Sequence, residues 1–565
     1  MRDDNKQLNN NVVDAELFER LMICGATNLH ANIEEVNNLN VFPVPDGDTG
    51  DNMYLTIKGG VDELCSNKNA TLEDKARALS NGMLLNARGN SGVILSQLFS
   101  GLADGLIGRD SVTIEEFVQV LEAGVKRAYG AVAEPVEGTI LTVAREAVEG
   151  VKTKIFSVAT VEDFCRSFLV EMQKSLEHTP ELLRVLKEAQ VIDSGGAGLV
   201  YIIEGFCKAF NESIPTDEIA VTVVASKKLD FSKFNEDSVM TYGYCTELLL
   251  QLQNAKTDVR NFSIKELTAF LETIGDSIVA FITGTVVKIH VHTLAPYKVL
   301  EYCQRYGEFL TVKIENMTLQ HNESIEDKPQ PFSASAMSKK VKKERKKFGV
   351  VTVASGEGIK KLFLDMGVDF VINGGQTNNP SAEDFIDAYD EVNADCIFVF
   401  PNNGNIVLSA KQSAQIYKNS EIRVIESKSL GEGYTAISMF DSSIGDADEI
   451  EQLLKDSMSC VVTAMVTTAV RDTTLNGVTV KEGDYIGFTN HTMLVSTSDK
   501  IKSANDLLDK LEVADKNYLI VIYGKSATPV EREAIKTYMQ NVYEDVEFYE
   551  VDGEQDVYDF IFIVE

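Results

Sequence analysis

Apolar residues recur every three or four positions through the first 210 residues, which is the spacing of amphipathic helices. Threonines followed three residues later by an acid, at Thr113 and Thr160, predict helix starts, and so does Thr179 before Pro180. The pattern predicts an all-α domain with helices over Leu17–Ile33, Leu72–Leu85, Gly92–Leu106, Ile114–Val132, Ile140–Val151, Val161–Leu176 and Leu182–Ala189.

The periodicity changes over residues 240–320, where strand-like and helical segments follow the order β-α-β-β-α-β. That order is typical of a ferredoxin-like, split βαβ unit and predicts an α+β domain. The predicted strands are Thr241–Leu252, Ser277–Ile282, Val286–His292 and Phe309–Ile314, and the helices Ile264–Ile274 and Tyr297–Arg305. Residues 323–347 mix Pro, Ser and charge without periodicity, which predicts a linker.

From Gly349 onward, apolar runs of strand length alternate with helical segments, which predicts an α/β domain with a largely parallel sheet. The expected division is therefore 1–212, 213–322, the linker 323–347, and 348–565. The predicted strands are Val350–Val353, Phe370–Ile372, Cys396–Phe400, Ile422–Ile425, Tyr518–Tyr523 and Asp559–Val564.

Two loops of this last domain follow predicted strands, at Asn373–Ser381 and Pro401–Asn405. Open α/β sheets place ligand loops there, although ordinary strand–helix turns explain them equally well. Gly356 and Gly358 partly match a dinucleotide fingerprint. Its third glycine is replaced by Lys361, which argues against a dinucleotide site.

Charge narrows the possible functions. The 565 residues include 53 Lys and Arg against 86 Asp and Glu, a net charge of -33 that disfavours nucleic acid and anionic lipid as partners. A basic run over 339–347 is interpreted as a solvated tether, with docking onto an acidic surface as the alternative. Eight scattered cysteines without a CxxC, a polar start and no long apolar run predict a cytoplasmic protein without an integral membrane segment.

The segment 40–53 carries three carboxylates within six residues, Asp46, Asp48 and Asp51, beside two prolines and two glycines. Their mutual repulsion favours a cation, and hard oxygen ligands on a short loop suit Mg²⁺. An Asp/Gly turn is the simpler alternative. An EF-hand is excluded because Ile57 stands at the twelfth position, where that loop needs Glu.

Three more glycine-rich joints, at 86–92, 137–139 and 193–198, each precede a predicted helix. Exposed N–H groups at a helix start bind anions, so each joint is a candidate phosphate site. One joint alone is weak evidence, because glycine is common in helix turns. The chain has no Walker A motif, so a nucleotide site here is not a P-loop.

The elements NVFPVPDGDTGDNM, ARGNSG, EGT and DSGGAGL, in this order, resemble the DhaL-type ATP-binding domain of dihydroxyacetone kinases. They resemble still more closely the ATP-binding subunit of bacterial fatty acid kinase. The resemblance implies a closed barrel of amphipathic helices that holds ATP and two Mg²⁺ at one rim. By motif position, the nucleotide-lining residues would be Thr49, Asn52, Met53, Gly89, Asn90, Ser91, Gly92, Gly138, Thr139, Asp193, Gly195 and Gly196.

The same resemblance implies the metal ligands. Asp46 and Asp48 match the ligand positions of the family. Asn40 lies where the dihydroxyacetone kinases carry a further ligand Asp, so it is a candidate catalytic residue with them. Asp51 departs from the Thr of most relatives, and it either adds a Mg²⁺ ligand or faces solvent.

A second metal site is predicted in the middle domain. Alternation places His290 and His292 on one face of a predicted strand, and Cys245 lies on a neighbouring one. Two imidazoles and a thiolate suit Zn²⁺, and a structural His pair is the alternative. The GYCTE and HVHT elements resemble the middle domain of the fatty acid kinase subunit, which implies Zn²⁺ here. The fourth ligand stays open.

The last domain resembles the corresponding domain of that subunit, which is related to DegV-type lipid-binding proteins. The resemblance thus covers nearly the whole chain. It implies a homodimeric kinase that phosphorylates a fatty acid carboxylate to an acyl phosphate, with the fatty acid presented by a separate DegV-like carrier that docks on the last domain.

Two other functions stay open. A dihydroxyacetone-type kinase is disfavoured because no dihydroxyacetone-binding domain is recognisable. A nucleotide-dependent regulatory or scaffold protein would need a degenerate site, against which the pair Asp46 and Asp48 argues.

Overall fold

The computed structural model describes residues 11–40, 44, 47–66, 70–210, 244–259, 262–271, 273–283, 285–316, 345–459, 461–490 and 492–565. The chain divides into two compact units. One combines Met1–Ile219 with Lys342–Glu565, and the other is Ala220–Val341. The helical domain and the C-terminal domain therefore belong to one unit, although the middle unit separates them in sequence.

The helical domain has one large apolar core, to which each of its longer helices contributes one face. The helices are α1 Ala15–Ala31, α2 Ile33–Asn37, α3 Thr49–Cys65, α4 Leu72–Leu85, α5 Gly89–Gly105, α6 Ile114–Ala131, α7 Ile140–Lys154, α8 Val161–Leu182, α9 Arg184–Ala189 and α10 Ser194–Lys208. A short antiparallel pair, β1 Val12–Asp14 and β2 Ser111–Thr113, joins the starts of α1 and α6. The predicted all-α domain is confirmed.

The caps predicted at Thr113 and Thr160 are present. Thr113 and Glu116 form a reciprocal capping box at the start of α6. Thr160 accepts a hydrogen bond from the backbone N–H of Asp163 at the start of α8. Side-chain chemistry that is legible in the sequence therefore sets these two helix starts.

The predicted helix start at Thr179 is wrong, because α8 continues through Pro180 to Leu182. Proline has no N–H to donate, which normally interrupts a helix. Here the Thr179 hydroxyl donates to the Leu176 carbonyl at 2.7 Å and supplies the missing hydrogen bond. The helix α9 begins only at Arg184.

The middle unit is a four-stranded antiparallel sheet with two helices on one face. Its strands are β3 Tyr244–Leu252, β4 Gly275–Thr283, β5 Val286–Thr293 and β6 Gly307–Asn316, in the spatial order β4-β5-β3-β6, and its helices are α11 Ile264–Leu271 and α12 Pro296–Cys303. Leu248, Val287 and Ile289 on the sheet pack against Leu267 and Val299 on the helices. The elements follow the predicted order, and the ferredoxin-like assignment stays a prediction. Most of the predicted linker lies outside the described residues.

The C-terminal domain begins with a four-stranded parallel sheet in the order β10-β9-β7-β8, which confirms the predicted α/β character. Its strands are β7 Lys346–Ala354, β8 Phe370–Asn373, β9 Ala394–Phe400 and β10 Glu421–Val424. The helices α14 Ala382–Val392 and α15 Val407–Ile416 cover one face, and α13 Glu357–Asp365, α16 Leu430–Ser438 and α17 Ala447–Met458 contribute to the core on the other.

A second sheet corrects the expectation of one largely parallel sheet. Six strands in the order β15-β14-β11-β18-β16-β17 pair antiparallel, except for β16 with β17. They are β11 Val462–Thr468, β14 Tyr485–Thr489, β15 Thr492–Thr497, β16 Tyr518–Tyr523, β17 Glu547–Asp552 and β18 Phe560–Val564, and the hairpin β12 Thr473–Leu475 and β13 Val478–Val480 stands beside them. The helices α18 Lys500–Lys510 and α19 Pro529–Val542 pack on the outer face.

The strands β11 to β15 are short and joined by tight turns, so they lack the spacing of strand–helix units that the sequence prediction relied on. One sequence signal does mark them. Asn476 and Gly477 both have positive φ, as the two-residue turn of a β-hairpin requires. None of the helices in the described part of the chain is long and apolar enough to cross a membrane.

Candidate functional site

Residues 40–48 of the helical domain, which we call the carboxylate loop, end immediately before α3. The Asp48 side chain makes no capping bond to α3. Its carboxylate instead accepts a hydrogen bond from the amide nitrogen of Asn379, in the C-terminal domain. Asp46, the other predicted Mg²⁺ ligand, lies outside the described residues. Asp48 therefore lies at a contact between two domains, an arrangement that the sequence did not predict.

Asn40 and Thr49 hold the two ends of this loop together. The Thr49 hydroxyl donates to Asn40 Oδ1 at 2.9 Å, and the Ser194 hydroxyl contacts Thr49 Oγ1 at 3.4 Å. Asn40 thus lies beside the first residue of α3, and its role as a catalytic residue stays a prediction.

Asp51 is exposed in the first turn of α3, where its carboxylate accepts a hydrogen bond from Asn37 Nδ2 at 2.7 Å. Asn37 also accepts a bond from the backbone N–H of Gly50 at 2.7 Å. Asn37, which the sequence analysis did not single out, therefore ties α2 to the start of α3. The assignment of Asp51 as a metal ligand stays a prediction.

The glycine-rich joints lie together at one end of the helical domain. Gly89, with a φ of 58°, begins α5, and a Cβ there would lie 2.7 Å from the Asn52 side chain of α3. A Cβ on Gly198 of α10 would lie 2.5 Å from the Met53 sulfur. These close approaches need glycine and bring the starts of α3, α5 and α10 next to each other.

Three of the four helix starts at these joints lack a side-chain cap. The residues before α3, α5 and α7 are Asp48, Arg88 and Thr139, and none of them caps its helix through its side chain. The helices α1, α4, α6, α8 and α10 have such a cap, and the short helices α2 and α9 lack one. Gly50 N–H of α3 and Ile140 N–H of α7 donate to the Asn37 and Asp193 side chains. The other first N–H groups of α3, α5 and α7 can face an anion, at the positive end of the helix dipole.

Asp193 connects the two remaining joints. Its carboxylate accepts hydrogen bonds from the N–H of Gly196 at 2.7 Å and from the N–H of Ile140, and so links α10 to the start of α7. Burial raises the pKa of Asp193 to about 6, against the lowering effect of those two hydrogen bonds. Asp193 therefore serves the structure of this end of the domain, and its nucleotide role stays a prediction with those of Gly195 and Gly196.

Beside Gly138, a compact ion-pair network surrounds Glu137. The Thr142 hydroxyl and the Arg145 guanidinium donate to the Glu137 carboxylate at 2.6 and 2.9 Å. The bond from Thr142, helped by Arg145 and Tyr129, lowers the pKa of Glu137. The network fixes the EGT segment just before α7.

The oxygen donors at this end of the domain suit a hard cation. Asp48 supplies a carboxylate, and Asn90 supplies a buried Oδ1 that accepts no hydrogen bond from any described residue. Mg²⁺ prefers such oxygens. Within the described residues, three or more His, Cys, Asp or Glu side chains do not come together as a metal site.

For the predicted Zn²⁺ ligands, the structure describes only the backbone. The register of β3 and β5 pairs Cys245 with His292, and Glu247 with His290. Directly paired residues share a face of an antiparallel sheet, so the three predicted ligands lie on one face. Their side chains lie outside the described residues, and Zn²⁺ stays a prediction.

The two loops predicted to bind a ligand in the C-terminal domain do meet. With residues from both sheets they line a cavity of about 670 Å³, which Val44 and Asn90 of the helical domain also border. Its wall combines amide side chains, such as Asn402 and Asn403, with apolar ones such as Phe488. The glycines of the imperfect dinucleotide fingerprint lie instead against the backbone of Asp552 and Gly553.

The interface between the helical and C-terminal domains contains residues that the sequence analysis missed. Gln412 is 4% exposed; its amide nitrogen donates to the Leu84 carbonyl and its oxygen accepts from Gln97 at 3.0 Å. Val44 packs in an apolar cluster with C-terminal residues that include Leu475 and Phe488. No periodicity reports contacts between segments 300 residues apart, so these residues had no signal in one sequence.

Comparisons with known proteins give a consistent family. Residues 43–208 match the DAK2 domain. Residues 241–324 match the middle domain, and residues 349–565 the C-terminal domain, of the fatty acid kinase family described as FakA-like.

Among solved structures, the dihydroxyacetone kinase from C. freundii in complex with AMP-PNP and Mg²⁺ is 16% identical. The match covers 37% of this chain and 36% of that one, with a TM-score of 0.28. DegV, a fatty acid binding protein from Bacillus subtilis, is 12% identical, and the match covers 39% and 98% of the two chains with a TM-score of 0.30. Both likenesses are too weak to carry an argument.

Full-length relatives carry the assignment. Protein YloV of Bacillus subtilis (strain 168) is 36% identical over 554 residues, which cover 97% of this chain and 98% of the relative. The uncharacterized protein SAR1202 of Staphylococcus aureus (strain MRSA252) is 35% identical over 563 residues, 98% and 99% of the two chains. Because the identity extends over all three matched regions, this chain belongs to the FakA-like family of fatty acid kinase proteins.

Proposed function

We propose that this protein transfers the γ-phosphoryl group of ATP to the carboxylate of a fatty acid, giving an acyl phosphate and ADP. A separate DegV-like protein presents the fatty acid. The observation that carries the proposal is that Asp48 lies beside the starts of α3 and α5, whose preceding residues make no side-chain cap, at one end of a DAK2 domain. Membership of the fatty acid kinase family supports the choice of acceptor.

In this proposal the protein acts by positioning. Backbone N–H groups at the starts of α3, α5 and α7 bind phosphate oxygens, and the dipoles of these helices favour that charge. Asp46 and Asp48 hold Mg²⁺, which when bound neutralises charge on the transferring phosphoryl group. Asn52 and Gly89 keep α3 and α5 close enough for both to face one nucleotide.

The reaction needs no nucleophile from the protein. A carboxylate oxygen of the fatty acid forms the new bond to the γ-phosphorus while the bond to the β,γ-bridging oxygen breaks, and ADP leaves with that electron pair. Orientation of the two reactants and electrostatic stabilisation of the transferring group therefore supply the rate enhancement.

The test is ATP consumption by the full chain with a purified DegV-like carrier that is loaded with fatty acid. We expect turnover with the loaded carrier, none with dihydroxyacetone, and none for Asp46→Ala or Asp48→Ala. Asp62→Ala is the matched control, because Asp62 is a half-exposed carboxylate on α3 that pairs with Lys58.

Two results would contradict the proposal. Turnover with dihydroxyacetone but not with the carrier would make the protein a dihydroxyacetone-type kinase. Wild-type activity in Asp46→Ala would remove the metal-loop assignment.

A further inference from the structure

Asn379 of the C-terminal domain donates a hydrogen bond from its amide nitrogen to the Asp48 carboxylate. It is 2% exposed, and it lies in the loop between β8 and α14. A Cβ on Gly89, at the start of α5, would lie 3.5 Å from the Asn379 amide nitrogen. The Asn379 amide is therefore located where the carboxylate loop meets the helix start assigned to the nucleotide phosphates.

The other atom of this amide has no partner among the described residues. Asn379 Oδ1 is buried and accepts no hydrogen bond from any of them. Buried polar atoms without partners are rare in proteins, because they have given up their hydrogen bonds to water. An amide oxygen is an acceptor that suits Mg²⁺ or water bound to it. This oxygen thus points to a ligand rather than to packing.

The backbone of Asn379 is held from both domains. Arg88, the residue before α5, donates to the Asn379 carbonyl at 3.1 Å. Arg88 and Ser381 also pair as an isolated antiparallel bridge. Ser381 in turn forms a capping box with Asp384 at the start of α14. Asn379 is therefore fixed in its place before any ligand binds, as a positioning group requires.

A second amide pair repeats this contact nearby. Asn90, in the first turn of α5, donates through Nδ2 to Asn405 Oδ1 of the C-terminal domain at 3.3 Å. Asn90 Oδ1 has no donor among the described residues either. Two amides along the same interface thus each use one atom to join the domains and leave an oxygen for another partner.

We propose that Asn379 is a positioning residue of the Mg²⁺–nucleotide site, supplied by the C-terminal domain. Its amide nitrogen orients the Asp48 carboxylate, and its amide oxygen offers one hard donor to the hydrated Mg²⁺. The inference rests on the proposed function, because it takes the site to bind Mg²⁺ and ATP. Its consequence is that the kinase site is built from two domains of one chain.

The experiment measures binding rather than turnover. Mn²⁺ binding to the full chain in saturating AMP-PNP is followed by electron paramagnetic resonance, and AMP-PNP affinity by calorimetry with and without Mg²⁺. We expect Asn379→Ala to weaken Mn²⁺ binding about tenfold or more, the usual loss for an outer-shell partner. Asn379→Asp keeps an oxygen at this position but cannot donate to Asp48, so it should lose less Mn²⁺ affinity than Asn379→Ala.

The neighbouring Asn378→Ala is the matched control, because Asn378 is exposed and contributes its carbonyl to the loop, where it accepts from Gly375 N–H. Mn²⁺ affinity of Asn379→Ala within twofold of the wild type would overturn the inference. Tighter Mn²⁺ binding by Asn379→Ala would also overturn the inference, since the Asn379–Asp48 contact would then oppose metal binding. If the wild type fails to bind AMP-PNP with Mn²⁺, the proposed function fails as well.

Discussion

Three aspartates of the helical domain have the same side chain but different contacts. Asp48 accepts a hydrogen bond from another domain, Asp51 is exposed beside Asn37, and Asp193 is enclosed by backbone N–H groups. The pKa of Asp193 is raised, because burial outweighs its hydrogen bonds. Its surroundings therefore predict a pH effect on stability.

Asp193→Asn should change how stability depends on pH. A folded pKa of about 6, against about 3.9 when unfolded, means that the folded state binds the proton more tightly. The contribution of the protonated Asp193 to the free energy of unfolding is at its full value below about pH 4 and is lost as pH rises through 6. Asn keeps the capping acceptor without this charge. Between about pH 5 and 7.5, the free energy of unfolding of the variant should therefore rise relative to that of the wild type by about 1–1.5 kcal/mol.

Thermal unfolding of both proteins without nucleotide, at about pH 5 and about pH 7.5, checks this. The melting temperature of the variant should rise by a few degrees relative to the wild type between the two values. A difference that is the same at both pH values would contradict the prediction.

Some residues of the candidate site could be predicted from the sequence and others could not. The glycine-rich joints were predictable, because close backbone approach needs glycine and each joint directly precedes its helix. Arg88, Asn379 and Gln412 were not predictable, since their partners are about 300 positions away and neither residue type nor spacing marks such a contact.

At the scale of elements, α8 shows a side chain replacing a backbone donor. Thr179 donates to Leu176 where Pro180 cannot, and it also accepts a hydrogen bond from the N–H of Asp193 at 3.2 Å. One buried hydroxyl thus keeps α8 continuous and joins it to the start of α10. The sequence prediction failed here because Thr-Pro also marks a helix start, and only the tertiary contact decides between the two.

Thr179→Val should therefore destabilise the protein by about 1–3 kcal/mol, because it leaves a buried N–H and a helix carbonyl without partners while keeping the side-chain shape. Thr153→Val removes a similar bond, from Thr153 to the Gly150 carbonyl at 2.7 Å, on an exposed surface. It should cost less than about 0.5 kcal/mol. Chemical denaturation compares the two variants, and equal losses would show that Thr179 has no special role.

Most other elements followed their patterns. The long amphipathic helices were predicted because their periodicity extends over many residues, and the parallel strands of the first C-terminal sheet because they alternate with helices. The strands β11 to β15 were missed, since turns instead of helices connect them. The hairpin of β12 and β13 could have been predicted from the Asn476–Gly477 turn.

At the scale of the whole molecule, the helical and C-terminal domains share an interface that includes Val44 and Asp48 of the carboxylate loop. Val44, 4% exposed, packs in a C-terminal apolar cluster, and Gln412 bonds the C-terminal domain to α4 and α5. Val44 and Asp48, two described residues of that loop, therefore contact another domain. The placement of Asp48 should depend on this contact.

Val44→Asp should loosen the interface, because it buries an unpaired charge. Hydrogen exchange should rise at least several-fold in the loop after β8 and in the joint between α4 and α5, while the core of each domain keeps its protection. Val530→Asp is the control, since Val530 is 80% exposed on α19. Unchanged exchange in Val44→Asp would show that the carboxylate loop does not depend on the C-terminal domain.

The separation of Arg88 from its partner Asn379 has a consequence in time. These residues are 291 positions apart, and the core of the helical domain, which extends to Ala209, is synthesised 170 positions before Asn379. A ribosome that adds about 5–20 residues per second needs roughly 8–35 seconds for those 170 residues. During that interval the nascent helical domain has all the residues of its core but not its C-terminal wall. Each newly made molecule therefore passes through a stage in which Arg88 and Asp48 lack their partner Asn379.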